Sequence, residues 1–484
     1  MDPPLPSRRR FLKTAFLGAA GGAATLWGAS RVRAWTVPAE ILALEEAVET
    51  GRARPLRRVE EFLAQPWDET PPALTRRLPQ LHPDHPGGGL KLLAGRQPSL
   101  PGALEDLVPR GEPGNGVFTH RGLPGATLLP WVSLFRRTAR LEVAPPALGR
   151  KVDCRLLVLK DDGSSEFPVY GNKARKYEFL LPNLTWRGVR RVGTMGSFGS
   201  NHALQLCAAN RLAPLHPDRR PPGLEVELSL YPQAIREGVR MKLEVMKGLG
   251  ARIDLLEDEY QAAEAFARAA AAREGFGNRG GDFAWIPPGG SNELSALGHL
   301  NALAELDEEI RAGLSELRTF PDFLFLPLGS GSTVLGVLLG LQLLGWPTKV
   351  VAVASQDRGA LARLAAGGSF DRPFALGHLQ RLGRSTLRWL EEAGFPHRFP
   401  DLEDLLERSL VFDNEAWRPA YGVLSEEAAA LAREAGQAGL ELDDTFGAKA
   451  FSALVRFSRR GELAGRTVLF WNTCNRFDYA SLLG

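Results

Sequence analysis

FLFLPLGSGSTVLGVLLG, residues 323–340, is the stretch on which the fold turns. Phe323 to Leu328 are almost wholly apolar and few in number, the pattern of a strand buried on both faces. GSGST, Gly329 to Thr333, then supplies a Gly/Ser turn, and the apolar run VLGVLLGLQLLG that follows is long enough for a buried helix. A strand, a tight turn and a helix start aim unpaired backbone N–H groups and a positive dipole end at one point. Such a point suits a phosphate, although the same loop can be a plain strand-to-helix turn, and the loop alone leaves both readings open. No lysine follows it as in a nucleoside-triphosphate loop, and no GxGxxG begins at Gly329, which disfavours nucleoside triphosphates and dinucleotides.

Outward from this stretch the same texture continues. KVVAVASQD (349–357) follows it, and CRLLVLKDD (154–162), RRVGTMGS (190–197), LEVELSLYP (224–232) and ARIDLLED (251–258) precede it. Between them lie helical patterns, one predicted from Asn201 to Asn210 and one ending at Leu249. Apolar strands alternating with amphipathic helices predict an α/β protein with parallel sheets covered on both faces. A chain of 484 residues suggests about two to three domains. Residues 35–125, Pro/Gly-rich from Pro71 to Gly116, read as an accessory segment before the α/β region 126–484.

The composition, 44% hydrophobic and 24% charged, is that of a globular protein. The net charge is +3, but Arg8, Arg9, Arg10, Lys13, Arg31 and Arg33 against Asp2 give the first 34 residues +5, which leaves −2 for the rest. Nothing in that balance calls for nucleic acid. Cys154, Cys207 and Cys474 are far apart with no CxxC spacing, so one disulfide is possible but no framework or zinc site. His82 and His85 have no third ligand nearby, and no metal is expected.

SRRRFLK (7–13), the run FLGAAGGAATLWGA and VRA before Trp35 resemble a twin-arginine export signal cleaved after Ala34. The run is short and Gly-rich for a membrane span, so no stable span is expected after cleavage. The expectation is a protein exported in folded form, cofactor already inserted, to an extracytoplasmic compartment.

In YGNKARKY (170–177), Lys173 and Lys176 are three apart and would share one helical face. They could be a solvated stripe, or one could carry chemistry. Ser200 or Asn201 in SFGSNH (197–202) can cap the next helix, whose start could also receive a carboxylate.

In order, the chain contains GNKARKYEFLLPN (171–183), GSFGSNHALQLCAAN (196–210), IPPGGSNELSALGHLNALAEL (286–306), GSGST, PAYGVLSEEAAALA (419–432), ELDDTFGAKAFSALV (441–455) and GELAGRTVLFWNTCN (461–475). This succession resembles the pyridoxal-phosphate-dependent D-cysteine desulfhydrase and 1-aminocyclopropane-1-carboxylate deaminase family, of the tryptophan-synthase-β fold type. The resemblance implies two α/β domains with the cofactor, pyridoxal 5'-phosphate, in their cleft. The smaller would be about residues 189–290, inserted in the larger, and the enzyme a homodimer acting on a small amino acid. It places the covalent cofactor anchor on Lys173, with Asn172 beside the ring hydroxyl and Arg175 and Lys176 as support. On this reading Lys176 keeps the solvated-stripe role. The cofactor phosphate falls to Gly329, Ser330, Gly331, Ser332 and Thr333. The substrate carboxylate falls to Ser200, Asn201 and His202, with Ser200 and Tyr421 near the reacting carbon.

The departures carry information too. The deaminase branch has Tyr-Glu where this chain has Phe446 and Gly447, and that glutamate faces the pyridine nitrogen. The desulfhydrase branch uses a threonine in HTGG, matched by Thr473 in Asn472-Thr473-Cys474-Asn475. A hydroxyl partner suffices for expelling a good leaving group such as thiolate. The expected reaction is therefore α,β-elimination, D-cysteine giving sulfide, pyruvate and ammonia. A deaminase of another amino acid is the first alternative, and a non-catalytic binding protein the second. Side chains in place of both HTGG glycines, and Tyr170 in place of a small residue, predict a reshaped pocket.

Overall fold

The structure is a computed structural model, and it describes residues 117–119, 128–130, 139, 141–164, 171–186, 188–212, 224–231, 237–256, 282–311, 313–355, 372–392, 399, 401–416 and 423–473. The export signal, most of the accessory segment, the His82/His85 pair, Tyr170, Tyr421 and Cys474 lie outside the described residues. Cys154 and Cys207 are not joined to each other.

Strands β1 (Val117–Thr119) and β2 (Leu128–Pro130) form an antiparallel pair that straddles residue 125. The remaining strands are β3 (Leu141–Val143), β4 (Leu156–Asp161), β5 (Arg191–Ser197), β6 (Glu225–Tyr231), β7 (Arg252–Leu255), β8 (Phe283–Ile286), β9 (Phe323–Leu328), β10 (Lys349–Ala354), β11 (Leu410–Asp413) and β12 (Thr467–Asn472). They make two sheets, one ordered β11-β10-β9-β12-β4-β3 and the other β7-β6-β5-β8. Every pairing is parallel except that of β3 with β4 at an edge. The fold expectation holds. The smaller sheet draws all its strands from residues 191–286, and the chain runs from β4 into it and back to β9.

Residues 323–340 form the strand and helix expected of them. β9 lies in the middle of the larger sheet, between β10 and β12. Its alternate residues feed opposite faces: Leu324 and Leu326 join one hydrophobic cluster and Phe325 the other, as Val350 and Ala352 do against Val351 and Val353 on β10. Pro327 is tolerated because pairing with β12 ends at Phe325, while pairing with β10 continues to Leu328. The helix Ser332–Leu344 is buried at every position but Gln342, as an all-round apolar helix should be. It approaches the helix Leu297–Arg311 so closely that a Cβ on Gly336 would lie 2.1 Å from Ala296 O.

β9 and β12 are neighbours in the sheet but far apart in sequence, so the chain's order reverses between them. In a parallel sheet, ligands bind beyond the carboxyl ends of the strands at such a reversal. Gly329 follows β9 there and Thr473 follows β12.

Candidate active site

A cavity of about 540 Å³ opens at that point, between the carboxyl ends of the two sheets. Gly329, Ser330, Gly331 and Thr333 border it from the larger sheet, and Ser200, Asn201 and His202 from the smaller. Asn172, Lys173 and Lys176 enter from the segment between the sheets, and Thr473 closes the side beside β12. All these are residues the sequence singled out.

Gly331, at φ 93, takes the left-handed backbone that lets the loop turn into its helix without a side-chain penalty. A Cβ there would touch the His378 ring at 3.0 Å, and His378 Nε2 donates to Ser330 O at 2.9 Å. Ser332 differs from its neighbours: it is fully buried, its hydroxyl 2.9 Å from Ser291 Oγ, and it does not border the cavity. Ser291 Oγ also lies 2.7 Å from Ser330 Oγ, tying the PGG turn (288–290) to the loop.

Lys173 borders the cavity, and its Nζ lies 5.0 Å from the centre of the Phe446 ring, which borders it too. Arg175 faces away from the cavity and pairs with both Glu305 oxygens, at 2.9 and 2.7 Å. Lys176 corrects the solvated-stripe expectation. Only 2% of it is exposed, and its Nζ donates to Gly289 O at 2.8 Å and reaches Ser330 Oγ at 3.5 Å. Burial, and then the charge of Lys173, push its pKa well below the ordinary lysine value. The PGG turn, quoted in sequence without a role, is what gives Lys176 this buried acceptor. The turn itself is local, but its contact with Lys176 joins positions 113 residues apart, so residue spacing held no sign of it.

Ser200, not Asn201, caps the helix Asn201–Leu212: its Oγ accepts from Ala203 N at 3.2 Å. It packs so tightly on Gly196 that a Cβ there would come within 2.5 Å of Ser200 Oγ. His202 is buried with both ring nitrogens engaged. Thr194 Oγ1 donates to Ile286 O at 2.8 Å, so it accepts from His202 Nε2, also at 2.8 Å, and the Tyr177 hydroxyl reaches Nδ1. Burial, then Lys176 and Lys173, hold the imidazole well below its ordinary pKa. His202 is thus a neutral strut between elements, with its side chain committed to protein partners. Lys242, which the sequence reading passed over, borders the cavity beside Asn201.

On the remaining side, Asp443 accepts from the backbone N–H groups of Thr445, Phe446 and Gly447 at 2.7 to 3.0 Å, fixing the start of the helix Gly447–Arg459. The buried Asn472 donates to Asp161 Oδ1 at 2.9 Å and Glu441 O at 2.8 Å. Its Oδ1 would lie 3.0 Å from a Cβ on Gly447.

These residues fit pyridoxal phosphate. Asn172 Oδ1 is buried without a hydrogen-bond partner, an acceptor suited to a ring hydroxyl, while its Nδ2 donates to Thr333 Oγ1 at 3.1 Å. The glycine loop and Lys176 offer backbone N–H groups and an amine to a phosphate, and Lys173 offers a primary amine to an aldehyde.

Fold and site together define a fold-type-II pyridoxal-phosphate enzyme. Residues 142–473 match the family described as "Pyridoxal-phosphate dependent enzyme", and the chain belongs to that family. It is 30% identical to the nocardicin C-9' epimerase of Nocardia uniformis subsp. tsuyamanensis over 74% of this chain and 96% of that one. It is 23% identical to the D-cysteine desulfhydrase of Klebsiella pneumoniae subsp. pneumoniae, over 69% and 90% of the two chains. A crystal structure of an ACC deaminase homologue superposes with a TM-score of 0.55 at 24% identity, covering 73% of this chain and 95% of that one, and agrees in fold.

Proposed function

We propose that the protein catalyses α,β-elimination on a small amino acid, with D-cysteine as the best candidate. The observation that carries this reading is the placement of Lys173 in one cavity between the glycine loop and the capped helix start at Ser200. One end can hold a phosphate and the other a carboxylate, with an amine between them to move a proton.

When bound, pyridoxal phosphate supplies an electron-withdrawing ring that takes up the electron pair left by a broken bond at the α-carbon. Asn172 and Thr333 orient one side of the site, the glycine loop and Lys176 hold the phosphate end, and Thr473 faces the site as a neutral hydroxyl. Lys173 Nζ accepts the α-proton, with Ser200 and Tyr421 assisting. The β-substituent leaves with its bonding pair, thiolate in the case of cysteine. The released enamine takes up water and yields a 2-oxo acid and ammonia. Gly447, beneath Asn472, offers no carboxylate of the kind the deaminase branch carries there, which favours a good leaving group over opening of a cyclopropane ring.

The 30% identity to an epimerase supports a second reading, in which the α-proton returns to the opposite face and nothing leaves. SRRRFLK and the run after it support a third element of the proposal, export of the folded enzyme by the twin-arginine route.

The cofactor-loaded protein is expected to show a visible absorbance band that Lys173→Ala abolishes. A panel of D- and L-amino acids, assayed for ammonia and 2-oxo acid, should show turnover of D-cysteine. Turnover of 1-aminocyclopropane-1-carboxylate alone would overturn the branch assignment, and inversion without ammonia would establish the epimerase reading. Absence of the band in the intact protein would refute the enzyme assignment.

A further inference from the structure

His299 lies fully buried on the helix Leu297–Arg311, where the close approach of the helix Ser332–Leu344 sets its ring against Thr333. That approach depends on Gly336, one turn after Thr333, since a Cβ there would meet His299 Cβ at 2.8 Å. The ring also stands beside Trp471 of β12, their centroids 6.3 Å apart. Its Nε2 is 3.4 Å from Asn172 Nδ2 and 3.4 Å from Thr333 Oγ1, and Asn172 Nδ2 donates to Thr333 Oγ1 at 3.1 Å. The Asn172 NH2 has two hydrogens and meets two acceptors, which leaves Oδ1 as the end without a hydrogen-bond partner among the described residues. Turning the amide over would offer NH2 there instead, and that arrangement needs a proton on His299 Nε2. The position of the proton on His299 therefore decides which end Asn172 offers. Burial, then the charges of Lys176, Arg175 and Lys173, hold the ring well below the ordinary histidine pKa, so it is neutral and carries one proton. The Ser295 backbone favours a proton on the ring, and Nδ1 is the nitrogen left for it, because Nε2 is at Asn172 and Thr333.

We propose that His299 is a positioning residue of this enzyme: with its proton on Nδ1 and its Nε2 accepting from Asn172, it locks the Asn172 amide so that Oδ1, and not NH2, is offered to the ring hydroxyl of pyridoxal phosphate. This rests on the reading that Asn172 meets that hydroxyl, and deepens it. An acceptor favours the hydroxyl over its anion, whereas an NH2 would favour the anion. The sense of the amide thus sets which protonation form of the ring oxygen the site prefers. In the lysine-bound cofactor the form with an ionised ring oxygen absorbs in the visible and the hydroxyl form in the near ultraviolet, so the ratio of the two bands reports that preference. His299 does not border the cavity, so its effect passes through Asn172.

The test uses the cofactor-loaded full chain without substrate, and its readout is the ratio of the visible to the near-ultraviolet band at neutral pH, not turnover. His299→Phe keeps a ring beside Trp471 but accepts no hydrogen bond, and its ratio is expected to rise about threefold or more, the worth of one hydrogen bond. His299→Gln, whose amide oxygen can replace Nε2 as the acceptor, is expected to stay within about twofold of wild type. Asn172→Ala should shift the ratio, and adding His299→Phe to it should change nothing further, because His299 acts through the amide. In wild type, nitrogen NMR of labelled histidine should show His299 neutral with its proton on Nδ1. A wild-type ratio in His299→Phe overturns the assignment, and so does an equal shift on the Asn172→Ala background, the mark of a merely structural residue. A proton found on Nε2 also overturns it, and that measurement reads the intact protein without needing a variant to fold. If Asn172→Ala leaves the ratio unchanged, the placement of Asn172 at the ring hydroxyl fails, and the His299 assignment with it. A shift in Asn172→Ala with none in His299→Phe sinks the His299 assignment alone.

Discussion

The two ends of the cleft are built from different materials. The end on the larger sheet is mostly backbone: a glycine loop after β9, held from behind by Ser291, His378 and Lys176. The end on the smaller sheet is mostly side chain: Ser200 caps a helix, Asn201 is held by Lys242, and His202 is clamped by Tyr177 and Thr194. A phosphate is the same in every member of a cofactor family, and backbone N–H groups suffice for it. A substrate differs from enzyme to enzyme, and side chains are what a sequence can change without changing its fold.

The largest effects should come from substitutions that separate the two ends. Gly331→Ala places a side chain at φ 93 and 3.0 Å from the His378 ring. Backbone strain of this kind costs about 1–3 kcal/mol. The expected result is a lower melting temperature and about a tenfold loss of cofactor affinity, measured by titrating the visible band. Ser200→Ala removes a helix cap worth about 1 kcal/mol. It should leave cofactor affinity near wild type and raise KM. If Ser200→Ala weakens the cofactor as much as Gly331→Ala, the two ends are one unit and the contrast breaks.

A substitution of intermediate effect tests where the branch assignment lives. Gly447→Glu restores the residue type of the deaminase branch, but Asn472 Oδ1 would lie 3.0 Å from the new Cβ, and Asn472 is itself tied to Asp161 and Glu441. Forcing a side chain into that space costs about 1–3 kcal/mol. The single variant should therefore lose stability and gain no cyclopropane-ring opening. Gly447→Glu with Asn472→Gly should recover part of the stability, measured by thermal melting. Full stability in the single variant would show that Asn472 does not guard this position.

The same contrast explains what could be read from the sequence. The glycine loop, its strand and its helix are contiguous, so FLFLPLGSGST declared them before any tertiary contact was known. GNK and SNH were legible because the residues that act are adjacent to each other. Lys176 was misread because its burial depends on Gly289, more than a hundred residues away. Lys242 was passed over because EGVRMKLEVMKG is an ordinary amphipathic helix with basic residues, and only packing decides which one faces the cleft. His202 was expected to meet substrate, but a histidine's partners on two other elements cannot be read from its neighbours in the chain. Ser332 lies in the middle of a legible loop and still turns its side chain away, toward Ser291.

The smallest expected effect concerns the support beneath the cofactor end. Lys449, buried three residues after Phe446, donates to Ser355 O at 2.9 Å, just past the end of β10. Burial pulls its pKa down from 10.5 to about 8, while Asp443 acts in the opposite direction. The unfolded chain therefore binds more protons than the folded one between about pH 8 and 10.5. Stability should rise with pH across that window, by no more than about 1.4 kcal/mol per pH unit from this group. Below pH 8 the cost of the buried ammonium is present in full, and above 10.5 both states are neutral and it is gone. Melting temperatures of wild type and Lys449→Met, taken at matched pH from 7 to 10, should differ by an amount that shifts in favour of wild type as pH rises, because only wild type gains from deprotonation. Parallel curves would mean that Lys449 holds its proton through this range, and that the cofactor end rests on a permanent charge below as well as on backbone above.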